Sequence, residues 1–139
     1  MALKKSNYDP AAKFGATPNM ENVTAAITLV DEWSGRNVVL NAAAGFAVTL
    51  PDPNSGDEFT FLVKTPPTAG SYTVVATGAI IKGGMVNSAA GAGSTTTGGT
   101  TITFAQNQAL AGDWVKIISD GTYWYLTGYS AVAAGITVA

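Results

Sequence analysis

The sequence predicts an all-β fold, a compact antiparallel β-sandwich or barrel with an extended N-terminal arm. Three observations predict it. Apolar and polar residues alternate at period two through most of the chain, as a half-buried strand requires. The alternating runs are rich in Val, Ile, Thr, Phe, Tyr and Trp, which suit a pleated surface. Clusters of Pro, Gly, Asn and Asp interrupt these runs at short intervals, the rhythm of sandwiches and barrels.

Residues 1–22 form the arm. They hold Lys4, Lys5 and Lys13, three of the seven basic groups, together with Pro10, Gly15 and Pro18, and show no sustained period. At most a turn of helix is expected around 11–14, and the segment is either a frayed terminus or an arm laid on a partner. The β domain covers 23–130, with strands expected at 23–30, 37–40, 47–50, 58–64, 71–77, 79–82, 100–104, 114–119 and 122–129. Within it Phe59, Phe61 and Val63 share one face while Glu58, Thr60 and Lys64 take the other. Val115, Ile117 and Ser119 alternate with Trp114, Lys116 and Ile118, and Tyr123 and Tyr125 oppose Trp124 and Leu126.

The separators carry their own chemistry. Prolines and turn formers at 51–56 remove backbone donors and supply positive-φ positions, and 66–70 repeat the device. Asp120-Gly121 between two alternating runs signals a tight antiparallel hairpin. The Gly/Thr-rich stretch 83–101 has no charge and almost no large side chain, and is expected as a surface loop. The apolar C-terminal tail, 131–139, is expected to pair as a strand or pack on a neighbour.

A length of 139 residues suits one domain. With no Cys and no His, the chain has no disulfide, no Cys/His zinc site, no Ser-His-Asp triad and no Cys-His dyad. A formal charge of -2 gives no electrostatic reason to bind nucleic acid or an anionic membrane. Charged residues are only 12% of the chain, against roughly a quarter in typical soluble domains, so neutral polar groups or other subunits must cover the surface. No run reaches the ~18 apolar residues of a membrane span. The first residues lack the apolar stretch of a signal peptide, and use without export is expected.

No cofactor or metal is expected. Asp31-Glu32 and Asp57-Glu58 are strand neighbours that point to opposite faces. Asp52, Asp57, Asp113 and Asp120 sit in turn contexts where a carboxylate bonds backbone amides. The glycines of 91–98 lack the lysine and helix of a phosphate loop, and 52–57 lacks the spacing of a calcium loop. Trp33, Trp114 and Trp124, with Tyr72, Tyr123, Tyr125 and Tyr129, make either core and subunit interface or a sugar-stacking platform.

The segment Val38-Val39-Leu40-Asn41-Ala42-Ala43-Ala44-Gly45-Phe46-Ala47-Val48-Thr49-Leu50-Pro51 is similar to a recurrent opening in small virion proteins of tailed bacteriophages. Residues 56–63 and 112–128, including Gly112-Asp113-Trp114 and Tyr123-Trp124-Tyr125, continue the pattern, so that it spans Thr28 to Ser130. In these motifs the chain resembles phage head decoration (cement) proteins, whose β modules have relatives in tail fibres. The resemblance implies a non-enzymatic structural protein of the virion. Such a protein is a homotrimer on the outer capsid surface, made in the host cytoplasm, that bridges and stabilises major capsid protein subunits. The candidate capsid or subunit contacts are Lys4, Lys5, Lys13 and Phe14 in the arm, then Trp33, Trp114, Trp124, Tyr129, Ile136 and Val138. The alternative is a tail-fibre or baseplate module that stacks host glycans on Trp or Tyr. A third reading is a glycan hydrolase using Asp57 or Asp113.

Overall fold

The computed structural model describes residues 19–78, 80–88 and 92–139. The arm residues Lys4, Lys5, Lys13 and Phe14 lie outside the described residues. Twelve strands follow in order: β1 (Met20–Val23), β2 (Ile27–Thr28), β3 (Asn37–Asn41), β4 (Ala47–Thr49), β5 (Ser55–Thr65), β6 (Tyr72–Val75), β7 (Ile81–Asn87), β8 (Ala92–Gly99), β9 (Thr101–Phe104), β10 (Trp114–Asp120), β11 (Trp124–Ser130) and β12 (Ile136–Val138). A 3-10 turn, Asp31–Trp33, precedes β3. Seven strands form one sheet in the order β1-β3-β5-β10-β11-β7-β8, and five form the other, β12-β9-β6-β4-β2. Their inner faces meet in one apolar core, which makes the fold a sandwich.

The sheets are mixed, where the sequence suggested antiparallel pairing. From β1 to β6 the chain passes from one sheet to the other at every step, so β1, β3 and β5 lie parallel, as do β2, β4 and β6. The stretch 23–30, expected as one strand, is one of these crossings. Val23 ends β1 buried in the larger sheet, exposed Thr24, Ala25 and Ala26 carry the chain across, and Ile27 opens β2 in the smaller one. Of the later pairings β7 on β11 is parallel, and the others are antiparallel, including β10 on β11 and on β5.

Alternation sets the core. Phe59, Phe61, Val63, Val115, Ile117, Trp124 and Leu126 point inward from β5, β10 and β11, to meet Tyr72, Val74, Ile102, Phe104 and Val48 of the smaller sheet. Phe59 and Trp124 pack with ring centroids 5.9 Å apart. The expected hairpin joins β10 to β11, with Gly121 and Thr122 at its tip and the Asp120 amide donating to the Tyr123 carbonyl at 3.3 Å.

The described residues of 83–101 are not a loop. They supply most of β7 and all of β8, an antiparallel pair at the edge of the larger sheet. Ladder hydrogen bonds use only backbone groups, so small residues suffice where one face carries little packing, and Met85 still reaches the core. The tail also enters the sandwich: β12 pairs antiparallel with β9, and Ile136 is buried.

Candidate interaction surface

Residues paired directly across a sheet share a face, so the registers place side chains in rows on the outside of the seven-stranded sheet. One row is apolar: Val39 of β3 pairs with Leu62 of β5, which pairs with Trp114 of β10, then Tyr129 of β11 and Val86 of β7. Val39 is nearly covered, Leu62, Trp114 and Tyr129 are half-buried, and Val86 is 60% exposed. The next row is polar and runs Asn37, Thr60, Lys116, Thr127. A third row holds Glu58, Ile118, Tyr125 and Lys82, with Ile118 43% and Tyr125 41% exposed. Lys116 reaches back to Glu58 at 3.7 Å, a part-exposed pair of small energetic value.

At the hairpin end of this face, Asp120 organises two tyrosines. One of its oxygens accepts the amides of Thr122 and Tyr123, both at 2.8 Å, and the other accepts the Tyr125 hydroxyl at 2.8 Å. These donors, the Tyr123 amide first, hold the Asp120 carboxyl below the ordinary aspartate range. The same bond to Asp120 holds the Tyr125 phenol above its ordinary value. The Tyr123 and Tyr125 rings meet edge to face at 6.3 Å, and the Lys82 ammonium sits 4.2 Å from the Tyr123 ring centroid.

The outer face of the five-stranded sheet differs in kind. Thr137, Thr103 and Thr73 form one row with Ala47, and Thr101, Val75, Thr49 and Thr28 form the next. Each row is uncharged and short-chained.

The candidate contact residues divide accordingly. Trp114 and Tyr129 are adjacent on the outer face. Trp33 is half-buried against the core with the Arg36 guanidinium 5.3 Å from its ring centroid, and Arg36 is ion-paired with Glu21. Trp124 is fully buried and Ile136 nearly so, which makes both core residues and removes them from any contact surface. Val138 is half-buried against the core from the edge strand. Leu62, Val86 and Ile118 were missed by residue type, although their phase opposite to the core positions marks them as outward, and Tyr125, named among the aromatic groups, lies on the same face.

The carboxylates are structural or dispersed. Asp113 is buried and accepts the amides of Leu110 and Ala131 at 3.0 and 2.9 Å, and it lies 3.4 Å from the Ser130 hydroxyl, whose proton also has the Val132 carbonyl at 2.8 Å. Asp57 keeps one buried oxygen without a hydrogen-bond partner. Among the described residues no group of three or more acidic side chains is placed to hold a metal ion. Comparison with protein-family models, with curated proteins and with solved structures finds no match to this chain.

Proposed function

We propose that this chain is a structural virion protein that decorates a bacteriophage capsid and stabilises it by bridging major capsid protein subunits, as a homotrimer on the outer surface. The observation that carries the reading is a row of large apolar side chains on the outside of a sheet, in a chain with only 12% charged residues. A patch of that kind gains free energy when another protein covers it. The phage-like motifs of residues 38–51 and 112–128 favour a virion as the setting, in which sister copies cover this row, and the basic residues Lys4, Lys5 and Lys13 suit an acidic shell. Many weak contacts repeated around a shell then act together. The role needs no turnover, cofactor, nucleic acid or membrane.

Co-sedimentation with empty shells of the matching major capsid protein tests this. Retention at a fixed ratio per capsid subunit, with shells that resist heat better, is the expected result. No retention overturns it.

A second reading, a tail-fibre or baseplate module, is favoured by one cluster: the exposed Tyr125 ring beside Tyr123, Asp120 and Lys82. Trp124 plays no part in it, being buried. Binding on a glycan array that Tyr125→Ala abolishes, with a few copies per particle, would decide for the fibre.

A further inference from the structure

We infer that the outer face of the seven-stranded sheet, centred on Leu62, Trp114 and Tyr129, is the surface through which this chain meets further copies of itself. The inference rests on the self-association in the proposed function; one face meeting the same face of another copy closes as a two-fold pair, so this contact is separate from the one that closes a trimer. Three observations select this face and this occupant.

The first is charge. The chain is net acidic, with nine carboxylates against seven basic groups, and among the described residues the ratio is eight to four, so two copies repel where their strands carry this excess. This face is the exception, since Lys64, Lys82 and Lys116 offset Glu58 and Asp120 on it. Like-charged bodies approach here at the least cost.

The second is area. The five strands from β3 to β7, at ~4.8 Å spacing and with seven residues in β10, present about 550 Å2 per copy. A pair then buries about 1,100 Å2, above the ~1,000 Å2 that a specific interface needs.

The third is residue type. Binding energy concentrates on buried Trp and Tyr ringed by polar groups, and the row through Trp114 and Tyr129 lies beside Thr60, Lys116 and Thr127. The opposite face of the molecule, built of threonines, has no such anchor.

Sedimentation equilibrium of the full chain tests the surface. The wild type is expected to associate at micromolar concentration. The double substitution Val86→Lys, Ile118→Lys is expected to weaken association at least about 30-fold, the scale of one lost anchor. Thr137→Lys, on the other sheet, is expected to leave it unchanged. Because the chain has no cysteine, Ile118→Cys and Thr137→Cys give a second readout that needs no disruptive variant. Cys at 118 is expected to resist maleimide in the associated state and to react on dilution, while Cys at 137 reacts equally in both. A monomeric wild type, lysine variants that associate like wild type, or a residue 118 shielded only by capsid shells each overturn the inference. Shell retention by a monomer would leave decoration standing without this interface. Association through this face without shell retention would do the reverse.

Discussion

The Tyr72 hydroxyl and the backbone of Ala42 lock onto each other: the Ala42 amide donates to the hydroxyl at 2.7 Å, and the Ala42 carbonyl lies 2.7 Å away as an acceptor. The carbonyl of Thr65 stands at the same distance, so the single phenolic proton has two acceptors to choose from. This contact gives residues 41–46 a structural task that needs no chemistry. Asn41 accepts the Thr65 hydroxyl at 2.5 Å, the Gly45 amide closes a turn onto Ala42, and Phe46 packs edge to face on Tyr72 at 5.0 Å. One buried phenol thereby joins the connection between β3 and β4 to the end of β5.

Tyr72→Phe is expected to cost about 1–3 kcal/mol, because the Ala42 amide loses its partner while the ring stays. Denaturant unfolding measures the loss. Burial, opposed by the bond from Ala42, holds the Tyr72 phenol above its ordinary value. The unfolded chain therefore releases this proton first as the solution turns alkaline, and native stability falls as pH rises beyond the ordinary tyrosine range. That part of the alkaline loss is expected to vanish in Tyr72→Phe.

Asp113→Ala is expected to destabilise by about 3 kcal/mol or more. It leaves the amides of Leu110 and Ala131 without their shared acceptor beside a buried position, while the Ser130 hydroxyl keeps the Val132 carbonyl at 2.8 Å. Urea unfolding gives the magnitude. Hydrogen exchange is expected to quicken first at the Leu110 and Ala131 amides.

The strands that alternate cleanly were legible in the sequence, because period two fixes which side chains go inward whatever the neighbouring strand. β5, β10 and β11 show this. Direction was not legible: the parallel stacking of β1, β3 and β5 leaves the alternation of each strand unchanged. The stretch 83–101 was misread because side-chain pattern is silent where backbone bonds alone build an edge strand. On the outer face, Trp114 and Tyr129 were found by residue type. Trp124 was misassigned by the same test, although its phase with Leu126 already put it inside.

The pair formed by Asp120 and Tyr125 gives a pH prediction on the outer face. Amides and a phenol stabilise the Asp120 anion, so the unfolded chain takes up the proton more readily than the native one. Its stabilising contribution is present above the ordinary aspartate range and disappears as pH falls through the depressed native value. Carboxyl-detected NMR titration is expected to place Asp120 below an exposed aspartate. In Asp120→Asn the Tyr125 phenol, followed by ultraviolet absorbance, is expected to ionise at lower pH than in wild type.

The last prediction separates two costs of replacing glycine. Gly83 of β7 pairs with Leu126 of β11, and its φ of 124° lies where L side chains rarely go. A Cβ there would run into the Leu126 backbone, carbonyl oxygen first, which cannot yield without opening the β7–β11 ladder. Gly112 has a similar φ of 97° but open space around it. Gly112→Ala therefore carries the conformational cost alone, about 1–2 kcal/mol. Gly83→Ala adds the collision and is expected to lose about 3 kcal/mol or more, with exchange quickened along β7 and β8 before the rest of the sheet. Equal losses for the two variants would mean that β7 tolerates a side chain at that position, and that its close parallel pairing with β11 is not what demands glycine there.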